Sequence, residues 1–179
     1  MKRAVVALLA LFALAATATT VVPMSLEELT TAASRIVEGQ AVKSWSTWNA
    51  QRTLIYTYTT FRVSRNLKGG EDPTVTIRQL GGSAGGYTQK VSGLRHPQIG
   101  EEELLFLRAS EAGDGSMAVV GLMQGQFRVY QTAAGDTLVS NGVNGASVVD
   151  RSTGRISTFR GTPMRLVDAE ARIKRSLTQ

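Results

Sequence analysis

The sequence predicts a mainly β fold with flanking helices, an antiparallel barrel or sandwich with a short helix near the amino terminus and another helix at the carboxyl terminus. Short stretches of alternating apolar and polar residues recur along the chain between turn-forming glycines and prolines. Helical spacing of apolar residues is confined to the two ends of the chain after residue 18. The sequence contains no cysteine, so we expect the core alone, without disulfides, to hold the fold together.

Residues 1–18 have the features of an export signal. Two basic residues at positions 2 and 3 precede an apolar run that ends near position 16 and is too short to cross a bilayer as a helix. Residues 16–18 fit the small-x-small cleavage rule, as does a tripeptide three residues earlier, and we place the mature start near Thr19. We therefore expect residues 19–179 to form a single β-barrel-like domain that is secreted or periplasmic.

The first helix is predicted from a capping box formed by Ser25 and Glu28. In this motif the serine hydroxyl accepts the amide of Glu28, and the carboxylate of Glu28 accepts the amide of Ser25. Leu26, Leu29 and Ala33 follow at helical spacing, which gives the helix one apolar stripe. The next stretch, RIVEGQAVKSWSTW, has the alternation of a strand and is expected to be the first long strand.

A second long strand is predicted from LIYTYTTFRVSRNLKG, residues 54–70. Ile55, Phe61 and Val63 occupy odd positions, which favours the odd face as the core face. The even positions carry polar and aromatic residues. TVTIRQL follows as a third strand after a turn at residues 71–73.

The rest of the chain is predicted to alternate strands with turns. A glycine-rich connection, residues 81–100, is expected to be mobile or tightly turned without regular structure, and EEELLFLRAS follows as a buried strand. Two strand-like pieces separated near Gly125, the short stretch TLVS and a hairpin with its loop at Asp150 to Gly154 complete the β part. The number of short strands between turns favours a barrel or sandwich.

The last helix is predicted to start with Thr162 as its cap and Pro163 at the first helical position. Apolar residues then recur every three or four positions through Leu177. Lys174 and Arg175 lie in the last turn, where cations favour the negative end of the helix dipole.

Several stretches resemble known families. SLEELTTAASRIVEGQAV, FRVSRNLKG, TVTIRQLGG, IGEEELLFL and VVGLMQGQFRV together resemble a family of uncharacterised exported bacterial domains. The same order of elements is distantly similar to netrin-like domains and the tissue inhibitors of metalloproteinases. This resemblance covers residues 25–129 and implies an OB-like barrel. The inhibitors bind a protease zinc through an amino-terminal cysteine, which this chain lacks, so the resemblance transfers no functional residue.

The sequence offers few groups for metal binding or catalysis. It has a single histidine, His96, and no cysteine, and the acidic run Glu101, Glu102 and Glu103 alternates across a strand, so its side chains cannot converge on one ion. We interpret this run as a solvated strand entrance and predict no metal and no cofactor. An enzyme remains the alternative function, an envelope or secreted hydrolase that uses His96 with a nearby carboxylate such as Glu101.

The preferred prediction is a soluble, non-catalytic binding or interaction module. Tyr56, Tyr58 and Arg62 share the even face of the second long strand, and with the glycine-rich loop they form the candidate ligand-binding surface. The competing interpretation is ordinary sheet packing, with the upstream tryptophans or the last helix covering the tyrosines. The formal net charge is +6, and +4 without residues 1–18, with scattered cations. We expect a protein or glycan of the cell envelope as partner, with no nucleic acid and no membrane span.

Overall fold

The computed structural model describes residues 20–141, 147–149, 152–158 and 162–178, so the predicted signal segment lies outside the described residues. The described chain forms thirteen strands and two helices. The helices are α1 (Leu26–Ala32) and α2 (Leu166–Leu177). The strands are β1 (Thr20–Val21), β2 (Arg35–Trp48), β3 (Ile55–Lys68), β4 (Thr74–Leu80), β5 (Gly82–Ala84), β6 (Tyr87–Gln89), β7 (Glu102–Ala109), β8 (Met117–Val119), β9 (Gln126–Gln131), β10 (Thr137–Ser140), β11 (Ser147–Val149), β12 (Ile156–Thr158) and β13 (Met164–Arg165).

Five strands close into a barrel in the order β7, β2, β3, β4, β8 and back to β7. The pairings are antiparallel except between β4 and β8, which run parallel with Ile77 beside Met117. β9, β10 and β13 extend the sheet from β7. The predicted fold class is therefore confirmed: the chain is mainly β, with an OB-like barrel and a helix near each end.

β2 bends around the barrel through irregularities in its pairing with β3. The register shifts between Ile36 and Val37, between Glu38 and Gly39, and across Ala41 to Lys43. A Cβ on Gly39 would lie 2.7 Å from the carbonyl oxygen of Arg62, so the two backbones meet here more closely than any larger residue permits. β-Bulges of this kind increase strand curvature and are common at the corners of barrels.

The two faces of β7 belong to two different cores. Leu105 and Leu107 point into the barrel, whereas Leu104 and Phe106 point outward and are covered by the helices. The barrel interior is completed by buried apolar side chains from the other four strands: Val37, Ala41, Phe61, Val75, Ile77 and Val119. The prediction that the odd positions of β3 face the core is confirmed by Ile55 and Phe61, which are fully buried.

The helices pack together over the outer side of β7. The predicted capping box of α1 is present, because the Ser25 hydroxyl accepts the amide of Glu28 at 3.1 Å and the Glu28 carboxylate accepts the amide of Ser25 at 2.7 Å. Ala169 and Ile173 of α2 are buried in the same apolar cluster as Leu29 of α1. Neither helix has the length and apolar character that crossing a membrane requires.

The predicted start of α2 is wrong. The helix begins at Leu166 with Arg165 as its N-cap residue, and no side chain caps it. Met164 and Arg165 instead pair with β10 as β13, so the backbone that would have formed the first turn after Thr162 and Pro163 is used for a sheet ladder. Lys174 and Arg175 do lie in the last turn, as predicted.

The glycine-rich connection contains regular structure, contrary to the prediction. β5 and β6 form a hairpin in which Ser83 faces Thr88, and their hydroxyls are 2.8 Å apart. The turn between them is Gly85–Gly86, with φ of 57° and 81°. A two-residue turn with both φ angles positive matches the twist of a hairpin, and consecutive glycines adopt it without steric cost.

The predicted hairpin near residue 150 is confirmed, because β11 and β12 are antiparallel. β1 adds to β11 in parallel, which makes a small three-stranded sheet. Two residues of the predicted hairpin loop, Asp150 and Arg151, lie outside the described residues.

The docking of α2 can be tested with a substitution in its buried stripe. We expect Ile173→Ala to lower the free energy of unfolding by about 2 to 5 kcal/mol, because the side chain is fully buried in the apolar cluster that includes Leu29 and Phe106. The matched control Val167→Ala changes an exposed position of the same helix and should alter stability by less than about 0.5 kcal/mol. Urea denaturation measures both. Equal, small effects would show that α2 is not part of the core.

Candidate functional site

The outward side chains of β2, β3 and β4 form rows across the barrel surface. Trp45 lies opposite Tyr58, and Tyr58 lies opposite Arg78, so these three residues form one row. Cross-strand neighbours on one face are close enough for their side chains to touch. The next rows bring Lys43, Tyr56 and Arg62 onto the same side. We call this surface the outer face and define it by Lys43, Trp45, Tyr56, Tyr58, Arg62 and Arg78.

Rings and cations stack on one another across the outer face. The rings of Trp45 and Tyr58 are nearly parallel, at 9°, with their centroids 5.2 Å apart. Lys43 Nζ lies 4.8 Å from the centre of the Trp45 ring, and Arg78 Cζ lies 3.4 Å from the centre of the Tyr56 ring. These contacts hold both cations beside the aromatic rings.

The predicted ligand-binding residues are brought together on this face, but not with equal exposure. Arg62 is exposed, and its guanidinium donates to the side-chain oxygen of Gln40 at 2.9 Å. Tyr56 and Tyr58 are half-buried. The Tyr58 hydroxyl donates to Asp114 at 2.9 Å, and burial together with this hydrogen bond raises the pKa of Tyr58.

The cover over the tyrosines comes from the sheet itself and not from α2. Trp45 lies on Tyr58, and Arg78 lies on Tyr56. α2 meets β3 near the opposite end of the strand, where Arg65 pairs with Glu170. Trp45 keeps 38% of its surface exposed, so the outer face has an aromatic edge that is open to solvent.

The glycine hairpin adds a second aromatic pair on the other side of the sheet, because Trp48 lies opposite the buried Ile55 and faces the same way. Tyr87 on β6 meets Trp48 at the end of β2 with ring centroids 5.7 Å apart and planes at 72°. Gly82 allows this close packing, because a Cβ there would lie 2.2 Å from the Thr57 hydroxyl. The glycine-rich loop therefore packs against Ser46 and Thr57 on the inward side of β2 and β3, and not against the face of Tyr56, Tyr58 and Arg62 as predicted.

The cations of the outer face lack acidic partners within the described ranges. Lys43, Arg62 and Arg78 have no carboxylate within salt-bridge distance among the residues that the structure describes. The Nε atom of Arg78 is buried and has no hydrogen-bond partner there. Many other arginines of the described chain do meet a carboxylate: Arg35, Arg65, Arg95, Arg108, Arg128, Arg165 and Arg172.

His96 and Glu101 are not joined in the arrangement that the hydrolase alternative needs. The Nε2 atom of His96 donates to the carbonyl of Leu80 at 3.1 Å, and burial lowers the pKa of the ring. Glu101 instead accepts the amide of Gln98 and pairs with Arg95 and Arg128. These partners lower the pKa of Glu101, although the burial of its carboxylate acts to raise it. Within the described ranges, no group of three or more acidic or histidine side chains is placed to hold a metal ion.

The interpretation of the acidic run as a solvated strand entrance is wrong for one residue. Glu102 is exposed and Glu101 is half-buried, but Glu103 has 0% exposure because it shares the interior face of β7 with Leu105. Its carboxylate pairs with Arg95, which reaches into the barrel end from the connection before β7. Burial raises the pKa of Glu103 to about 7, although Arg95 opposes the shift.

Comparison with known proteins does not assign the chain to a family. No protein-family model matches the sequence, and no curated protein matches it. The resemblance to netrin-like domains therefore stays a prediction.

Sequence reasoning missed half of the outer face. Lys43 and Arg78 were not recognised, and Trp45 was considered only as a cover for the tyrosines. Alternation could have placed Arg78 outward, since it lies between Thr76 and Leu80 at an even position of β4. Lys43 has the odd parity of the buried Ala41 and points outward only because the register of β2 shifts between these two residues. The position of both cations beside Tyr58 and Trp45, however, depends on the strand register, which the alternation does not specify.

The buried carboxyl group of Glu103 should make the free energy of unfolding depend on pH, and Glu103→Gln should remove this contribution. Between a pKa of 4.5, the ordinary value, and about 7, the folded state binds more protons than the unfolded state, so the unfolding free energy falls as the pH rises. Between these two pH values, we expect the free energy of unfolding of the wild type to fall by up to about 3 kcal/mol relative to that of the variant. Urea unfolding at several pH values measures the difference.

Glu102→Gln is the matched control for this experiment, because it makes the same change at the exposed neighbour of Glu103. Its stability should follow the wild-type pH dependence. If the Glu103→Gln and wild-type curves run parallel from about pH 4.5 to about pH 8, the buried carboxyl does not titrate as proposed.

Proposed function

We propose that this protein is an exported, non-catalytic binding module whose outer face binds a polyanionic glycan of the cell envelope. The observation that carries the proposal is a set of three cations, Lys43, Arg62 and Arg78, that have no acidic partner among the described residues and lie beside the exposed edge of Trp45. Export is expected from the signal-like residues 1–18.

The charge of the outer face favours an anionic ligand. An unpaired cation remains available for a carboxylate, sulfate or phosphate group, and guanidinium groups bind such groups through two parallel hydrogen bonds. Lys43 and Arg78 are already held against aromatic rings, so less side-chain freedom is lost when a ligand binds.

The polarity of the outer face favours a glycan over a protein partner. Stable protein interfaces usually have an apolar centre surrounded by a polar rim. Here the row between the aromatic residues and Arg62 consists of Lys43, Thr60 and Thr76, and the two threonine hydroxyls are 2.9 Å apart. A narrow polymer with many hydroxyl and acidic groups suits such a surface, because each polar group can find a hydrogen-bond partner.

The proposal is tested with polygalacturonate as the anionic probe and dextran as the neutral control. We expect saturable binding of polygalacturonate by titration calorimetry, and we expect salt to weaken it because two of the three cations, Lys43 and Arg62, are exposed. The double variant Trp45→Ala, Arg62→Gln should weaken association by about tenfold, which corresponds to about 1.4 kcal/mol. Thermal unfolding checks that the loss of the Trp45 and Tyr58 stack costs no more than about 1 kcal/mol of stability.

The matched control is the double variant Val167→Ala, Lys174→Gln, which removes an exposed apolar side chain and one positive charge from α2. It should bind as the wild type does. An equal loss in both double variants would mean that net charge alone drives binding. The glycan assignment also fails if dextran binds as well as polygalacturonate, or if the wild type binds neither polysaccharide and the outer face retains an envelope protein instead.

A further inference from the structure

A groove of about 450 Å³ lies next to the outer face, on the far side of Arg78. Its size falls within the range of small-molecule sites. The strand registers explain its position: Ile77 pairs with Met117, which places Arg78 beside Ala118, and Ala118 pairs with Arg108. The row that begins at Trp45 therefore continues through Ala118 to Arg108, and a small side chain separates two arginines.

The two arginines give the groove a positively charged side. Adjacent strands are about 4.8 Å apart, so the backbones of Arg78 and Arg108 are separated by about 10 Å across Ala118. Arg78 has no acidic partner among the described residues, and the contact of Arg108 with Glu111 is long, at 3.5 Å, between two exposed side chains. An anionic group of a ligand between the two arginines would therefore compete with few carboxylates of the described chain for their guanidinium groups.

The other side of the groove is aliphatic and open to solvent. Val22 and Leu122 keep 41% and 51% of their surface exposed, and Met24, Leu80 and Leu94 line the groove between them. Leu122 has φ of +67°, a conformation that is unfavourable for a leucine. The backbone thus holds an apolar side chain at the rim in a strained conformation, which is a common feature of ligand sites.

The chain around the groove is fixed by the side chain of Gln124. Its oxygen accepts the amide of Met24 at 2.8 Å, and its nitrogen donates to the carbonyl of Val22 at 2.9 Å. These hydrogen bonds tie residues 22–24 to the turn that carries Leu122. The wall is therefore built into the fold, and the amide group of Gln124 is already occupied.

From these features we infer that the groove binds a free single-chain fatty acid, with the carboxylate between Arg78 and Arg108 and the alkyl chain along Val22, Met24 and Leu122. A hydrocarbon chain needs no hydrogen-bond partners. A peptide would need them, and the short strand β8 at the groove floor is already paired with β4 and with β7.

The experiment follows displacement of the fluorescent fatty acid cis-parinarate by oleate, with the full chain in buffer at about pH 8. We expect saturable binding of oleate and none of oleyl alcohol, because the alcohol lacks the charge that the arginines recognise. Arg108→Gln and Leu122→Asn should each weaken oleate binding by about tenfold. Asparagine tolerates the left-handed conformation of residue 122, so the second variant should fold normally.

Arg62→Gln and Val167→Asn are the matched controls, one for the lost charge and one for the lost apolar side chain, and both should bind oleate as the wild type does. Binding that is absent, equal for oleate and oleyl alcohol, or unchanged in the two groove variants would overturn the inference. Binding only to phosphatidylglycerol vesicles would overturn it too. The groove variants leave Trp45 and Arg62 intact, so this test can fail independently of the glycan proposal.

Discussion

The pairing of β8 with β4 on one side and with β7 on the other is the constraint on which the rest of the structure depends. It closes the barrel with only three residues of strand. Once the barrel is closed it has one interior, which Phe61, Leu105 and their apolar neighbours fill. Because side chains alternate along a strand, the residues between them must point outward. The outer face and the groove are therefore direct consequences of how the core is packed.

Closure also places two different surfaces side by side. On β2 and β3 the outward row consists of the aromatic residues Trp45 and Tyr58. On β8 and β7 the same row continues with the small side chain of Ala118 and ends at Arg108. Arg78 lies between them, with its guanidinium over the ring of Tyr56 and its side chain at the edge of the groove. A single cation thus contributes to both surfaces, whereas Arg62 belongs to one and Leu122 to the other.

The parts of the fold that depend on local pattern could be predicted from the sequence. The long strands and the capping box of Ser25 were correct because alternation and capping involve neighbouring residues. The errors arose where distant pairing decides the outcome. The start of α2 is set by the pairing of β13 with β10, and the burial of Glu103 on the interior face of β7 is compensated by Arg95 from the preceding connection. Of the candidate site, the face of Tyr56, Tyr58 and Arg62 was predicted, but Arg78 required the register of β4.

Backbone NOEs measured by NMR on the isotopically labelled protein test barrel closure most directly. The structure predicts interstrand contacts from β8 in both directions, between Ile77 and Met117 and between Arg108 and Ala118. Contacts in both directions would place Arg78 and Arg108 on either side of Ala118, as the outer row and the groove require. If β8 shows contacts to β7 alone, the barrel is open, the two arginines are not neighbours across Ala118, and the outward row described above is contradicted.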